Sequence, residues 1–251
     1  MRQSSGIKGW AVDGTYLKQL HQCPDRPPSP NGKFDFQIGG AYPPASDVAV
    51  VTRHRADSPV LGKYNICYVN AFQTQDGEQS FWQSSQNDHL LLRKSNGQYF
   101  GHFHRYQAAR TRHHRQRLDR RMPTERLQRN LDTFTRTNGL LSESNNLAYA
   151  KLLADHAHSI GLAIGQKNAG GELEDRGKTQ VGFDFAVAEQ CQEFDECDAY
   201  TDVYGNQVLE IEYDGQTWED ACRARGSSIS IIYRDVDVSP RGSRSYVYQE
   251  C

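Results

Sequence analysis

The chain has 251 residues, of which 37% are hydrophobic and 24% charged, and its formal net charge is −2. That is long enough for one sizeable core and too apolar for a disordered chain, so one domain is the first expectation. No apolar run of about 18 residues is available to span a membrane, and the opening MRQSSGIKGWAVDG has no apolar stretch of the kind a signal peptide needs.

Residues 1–31 contain CPDRPPSPN and read as an extended lead-in, with the folded domain expected over 32–251. A strand is expected at 33–40 (KFDFQIGG) and a second at 64–72 (YNICYVNAF), with weaker strands at 90–93 and 97–100. Residues 145–160 form an amphipathic helix, with Leu147, Ala150, Leu153, Ala154, Ala157 and Ile160 on one face. Ser144 or Asn145 is placed to cap it and Gly161 to end it. Strands follow at 162–168, 181–191, 207–213 and 228–235, with a helix from Trp218 to Arg225 between the last two.

Short apolar strands alternating with helices imply parallel βα units. Several strands end in polar residues: Asn70, Lys167 with Asn168, Glu189 with Gln190, Glu212 with Tyr213, and Arg234 with Asp235. In a TIM barrel the C-terminal strand ends carry the active site. There is no Walker loop, no GxGxxG after a strand, no GxSxG and no HExxH.

Six cysteines stand at 23, 67, 191, 197, 222 and 251, without CxxC spacing or nearby histidines that would make a zinc site. Cys191 and Cys197 can close a short loop, and Cys222 and Cys251 can tie the chain end to the last helix. That reading points to an oxidising compartment; the alternative is reduced, buried thiols.

Residues 102–129 stand apart. Nine arginines against Asp119 and Glu125 give the segment a charge of +7, leaving −9 for the remainder. An arginine-rich nucleic-acid segment and a solvated basic helix are two readings. A third is a shifted reading frame. Read one base later, with permitted codons, the segment can encode a polar cap, an amphipathic helix and a turn before a strand. Local and global consistency fail only here, which favours the shifted frame and predicts a disrupted βα unit.

The blocks GKFDFQIGGAY, YNICYVNAFQTQ, NLDTFTRTNGLL, AHSIGLAIGQKN, FDFAVAEQC and LEIEY resemble, in order, those of the endo-α-1,4-polygalactosaminidases, glycoside hydrolase family 114. The resemblance covers roughly 32–101 and 130–251. It implies an α/β fold, a (β/α)8 TIM barrel, that cleaves internal α-1,4 bonds of a galactosamine polysaccharide. It also implies an extracellular monomer needing neither cofactor nor metal and binding neither nucleic acid nor membrane.

Glycoside hydrolysis uses two carboxyl groups flanking the scissile bond. The resemblance assigns one to Glu189. The other would be the aspartate of an E-P-D-N-L-D block, of which only Asn130, Leu131 and Asp132 remain, after Leu127, Gln128 and Arg129. An arginine, with a pKa above about 12, cannot donate a proton at neutral pH. Asp35, Gln37, Tyr68, Asn70, Asp132, Lys167, Asn168, Glu212 and Tyr213 are the expected sugar contacts, with Lys167 also able to position a carboxylate or lower its pKa. The runner-up function is an inactive barrel that binds aminated polysaccharide.

Overall fold

The computed structural model describes residues 26–72, 79–88, 91–93, 99–104, 126–131, 134 and 140–251. Among them eight strands run parallel, side by side in chain order: β1 (Phe34–Gln37), β2 (Val50–His54), β3 (Tyr64–Tyr68), β6 (Arg126–Asn130), β7 (Ile164–Lys167), β8 (Phe185–Glu189), β9 (Val208–Glu212) and β10 (Ser230–Arg234). A short antiparallel strand, β11 (Tyr248–Glu250), pairs with β10. Two further strands, β4 (Leu91–Arg93) and β5 (Tyr99–His104), form a separate antiparallel pair inserted before β6.

Both faces of the large sheet are covered, so β1, β7 and β9 are buried along their whole length. On one face Phe34, Phe36, Ile66, Val187, Ile211 and Ile232 pack together. Gly165 belongs there because any side chain would meet the Phe185 ring, 2.5 Å from where a Cβ would sit. On the other face Ala186, Ala188, Val208 and Ile231 pack with the helix Glu143–Ser159 through Ala150, Leu153, Ala154 and Ala157.

That helix starts earlier than its periodicity suggests. Ser142 is the cap, its hydroxyl accepting from the Asn145 backbone N–H while the Asn145 side chain accepts in turn from the Ser142 N–H. It ends at Gly161, which takes φ 75°, a conformation that glycine adopts without steric cost. Ile160, expected on the apolar face, lies beyond the last helical turn and is exposed. The last helix also begins earlier, at Gly215, because Asp214 accepts from the Thr217 N–H at 2.9 Å and caps it.

Six elements have no counterpart in the sequence reading: β2, β11, the short helices Gln79–Trp82, Gly170–Leu173 and Asp198–Tyr204, and a π-turn over Gly177–Val181. A gap in the sheet was also expected within 102–129. Most of that segment, 105–125, lies outside the described residues, but 126–130 fill the expected gap as β6, bonded to β3 and β7 on either side. Two flanking strands with open backbone edges accept any extended segment, so pairing here requires no apolar alternation.

Two disulfides form among the described residues, Cys191–Cys197 and Cys222–Cys251, while Cys67 is buried. Cys23 lies outside the described residues. The second bridge spans 29 residues and fastens β11 to the helix Gly215–Arg225. Loop-closure entropy for that span corresponds to about 3–4 kcal/mol. Cys251→Ser is therefore expected to lower unfolding stability by about that amount in urea titration under oxidising conditions, and to change nothing once both proteins are reduced. An equal loss in reductant would point to packing at Cys251 instead.

Candidate active site

Because the eight strands are parallel, their C-terminal ends lie along one edge of the array. β8 ends at Glu189, and three neighbours converge on its carboxylate. Lys167, at the end of β7, donates from Nζ to Oε2. Asn168 donates from Nδ2 to the same oxygen at 2.9 Å, while its own Oδ1 accepts the Glu189 N–H at 2.9 Å. Tyr213, just past β9, donates its hydroxyl to Oε1 at 2.7 Å.

Burial works to raise the Glu189 pKa, but the Lys167 charge and these hydrogen bonds outweigh it, and the carboxyl sits below its ordinary value. Lys167 is 2% exposed, so its charge is screened little by water. The phenols respond the other way. Burial, followed by the Glu189 charge, pushes Tyr68 up to about 12 and lifts Tyr213 further. The site at neutral pH is thus an ionised carboxylate held by one cation, one amide and one neutral phenol, with a second phenol within its field.

The turns leaving β7 and β8 are tightly made. Asn168, Ala169 and Gln190 all take positive φ, at 55°, 59° and 60°. Asparagine tolerates this region through its short polar side chain, whereas alanine and glutamine carry a Cβ penalty there.

The other residues expected at the site fall in four places. Tyr68 and Asn70 stand half-buried at the end of β3. Asp35 and Gln37 are buried in a closed network on β1. Asp35 accepts from Tyr42 Oη at 2.6 Å and from Gln37 Nε2 at 2.8 Å, with Arg234 3.6 Å away, and Gln37 accepts from Arg53 Nε at 2.9 Å. Their lone pairs are engaged within the protein rather than around Glu189. Asp132 lies outside the described residues.

Glu212 is the fourth case and departs from the expected common cleft. It alternates with Ile211 and Tyr213 along β9, so it turns towards the helix-covered face and away from Glu189. There its Oε1 accepts the Gln192 N–H at 2.9 Å, and its Oε2 is buried without a hydrogen-bond partner among the described residues. Arg225 bonds the neighbouring Glu210 at 3.1 Å and Gln192 Oε1 at 2.7 Å. Burial pushes the Glu212 carboxyl up to about 7, with Glu210 and Glu193 adding to the rise.

A raised acid costs stability as it ionises, so this penalty sets in above the unfolded value near 4.5 and is complete above about 7. Glu212→Gln keeps the oxygen that Gln192 uses and removes the charge. It is expected to stabilise the fold by about 1–3 kcal/mol at pH 8 and by nothing at pH 4 in denaturant titrations. A gain independent of pH would contradict this. Glu210 also lies close to Cys191 and Cys197, but both sulfurs are consumed by the disulfide and leave no metal-binding set.

β6 brings the segment expected to hold the second carboxyl alongside this site. In the ladder Gln128 lies opposite Gly165, Arg129 opposite Gln166 and Asn130 opposite Lys167. Glu189's hydrogen-bond partners among the described residues include no acid. Sequence reasoning did not pick out Tyr42, Arg53 or Gln192, whose roles come from tertiary contacts and carry no local motif. Arg234 was noted only as a polar strand end.

An ionised carboxylate at the C-terminal edge of a parallel α/β array is the setting in which barrel glycosidases place one of their two carboxyl groups. Residues 128–251 match the model of glycoside-hydrolase family GH114. The fold agrees with the crystal structure of Aspergillus fumigatus Ega3 in complex with galactosamine. That likeness has a TM-score of 0.68 at 20% identity, over 92% of this chain and 99% of Ega3's. It also agrees with the glycoside hydrolase domain of PelA from Pseudomonas aeruginosa, with a TM-score of 0.58 at 14% identity, over 86% of this chain and 98% of that one. A single-residue variant of the PelA domain gives 0.59 at 13% identity, with the same coverage. At these identities the likeness is one of fold. No curated protein matches the sequence.

Proposed function

We propose that the chain carries the site of an endo-acting glycosidase for α-1,4-linked, cationic galactosamine polysaccharide. Glu189 is its catalytic carboxylate, and Lys167, Asn168 and Tyr213 hold it in place. The observation that carries this reading is the Glu189 constellation at the strand ends, in a chain whose residues 128–251 match a glycoside-hydrolase family. The substrate class is supported by the galactosamine complex of Ega3 and by the −9 charge outside residues 102–129, which favours a polycation. Tyr68 and Asn70 are suited to sugar contacts from β3, and Asp132 remains assigned to the same role.

The parallel array is consistent with a closed (β/α)8 barrel. Ser230 donates from β10 to the Gly32 carbonyl at 2.8 Å, and Tyr248 donates from β11 to the Phe34 carbonyl at 2.9 Å, so side chains bridge the first and last parts of the sheet. The two disulfides suit an extracellular setting. No described helix is long and apolar enough to cross a membrane.

A carboxylate held ionised can act as nucleophile or base but has no proton to give, so a second group must serve as acid. Leu127, Gln128 and Arg129 cannot. That specific deficit favours a second reading for the chain as written: it binds the polymer without cleaving it. Retention on insoluble galactosamine polymer tests the substrate class. Binding to that polymer, and not to an anionic polygalacturonate matrix of similar porosity, is expected; equal retention on both, or on neither, overturns it.

A further inference from the structure

The loop that follows Glu189 is built in a way that the chemistry at Glu189 does not require. It runs from Gln190 to Cys197, closed by the Cys191–Cys197 bridge and pinned from behind by Glu212 and Arg225 through Gln192. Within it Phe194 donates its N–H to the Gln190 carbonyl at 3.1 Å, which folds it back to within one turn of the residue next to Glu189. Phe194 is nonetheless 64% exposed. A phenylalanine on a loose loop tip would need no explanation. This one is fixed by a disulfide and a buried anchor, at the strand-end edge that carries the site.

A second, independent observation lies beside it. Glu196, on the same loop, comes within 3.7 Å of where a Cβ on Gly171 would sit, next to Glu172 in the turn that follows Lys167 and Asn168. Burial and then the Glu172 charge raise the Glu196 carboxyl above its ordinary value. Among the described residues neither carboxylate has an ion-pair partner. The turn after Asn168 and the loop after Glu189 thus bring like charges together, and that loop also carries the exposed Phe194 ring.

We infer that Phe194, Glu172 and Glu196 form a subsite for one cationic hexosamine unit of the polymer, adjoining the unit at Glu189. The apolar face of the sugar lies on the Phe194 ring, and its ammonium group relieves the repulsion between Glu172 and Glu196. A hexosamine presents both features, an apolar face of C–H groups and a single positive charge. Neutral sugars supply only the first. The inference rests on the galactosaminan reading but does not depend on turnover, so the chain as written can be tested.

Affinity for α-1,4-galactosamine oligomers and for their fully N-acetylated counterparts would be measured by calorimetry at pH 6, where the free amines are charged. Phe194→Ala is expected to weaken both oligomers by about tenfold, with Phe194→Tyr close to the parent. The double change Glu172→Gln, Glu196→Gln is expected to weaken the free-amine oligomer by about tenfold and to leave the acetylated one unchanged. All three positions are at the surface or half-buried, so thermal melts of the variants should match the parent. If the parent binds and the variants bind equally well, the subsite is wrong and the galactosaminan reading stands. If the parent binds neither oligomer, both fall together.

Discussion

The chain as written should release essentially no galactosamine oligomers from the polymer, and restoring Glu-Pro-Asp at Leu127–Arg129 together with the shifted frame should bring activity back. Glu189 is held ionised, so the missing function is the proton donor, and β6 places Arg129, where that acid is expected, opposite Gln166 on β7, one residue before Lys167. Loss of a general acid costs on the order of 10²–10⁴-fold. The repaired chain should therefore exceed the present one by at least that factor, since its βα unit is rebuilt as well. Glu189→Gln in the repaired chain should abolish the gain. Comparable product release from both chains would show that another group, Asp132 for instance, already supplies the proton.

Removing Lys167 should cost stability in a strongly pH-dependent way. In the native protein the folded Glu189 carboxyl lies below its unfolded value, so it contributes stability above the unfolded pKa and loses it as pH falls. Lys167→Met reverses that sign. Burial is then opposed only by the surviving hydrogen bonds, without the cation, so the cost appears above the unfolded pKa and fades below it. Breaking a buried pair in this way typically costs about 3–5 kcal/mol. The expected loss is about 3 kcal/mol at pH 7 and less than about 1 kcal/mol at pH 4, read from urea titrations. The double variant Lys167→Met, Glu189→Gln should recover most of it, as contacting residues are strongly coupled. Equal losses at the two pH values, or no recovery in the double variant, would mean that Lys167 matters for packing alone.

What could be read from the sequence follows from where each signal was written. The strands ending at Lys167, Glu189 and Glu212 were visible as apolar runs closing on polar residues, and both bridges were visible in cysteine spacing. β2 is not legible in the sequence because its short run of valines follows closely on Pro43 and Pro44 and does not alternate clearly. Glu212 and Tyr213 are neighbours in the sequence, yet the two-residue period of a strand sends them to opposite faces, and a set of strand-end residues does not record which face each takes. Asp35 and Gln37 looked like free polar groups because their partners Tyr42, Arg53 and Arg234 come from other elements. The arginine-rich stretch defeated local reading altogether. Its last residues join the sheet because their neighbours leave a place for them, and that information lies in β3 and β7.

The left-handed turns at Ala169 and Gln190 have a bearing on attempts to engineer this protein. Each holds a side chain in a backbone region that costs of order 1 kcal/mol, and each sits directly behind a residue that shapes the Glu189 carboxylate. A selection run on heat resistance alone would drift towards glycine at both positions, gaining melting temperature from relieved strain. The same glycines would give the Asn168 and Glu189 ends freedom to wander, and the winners of such a screen would be sturdier proteins with a blurred sugar site.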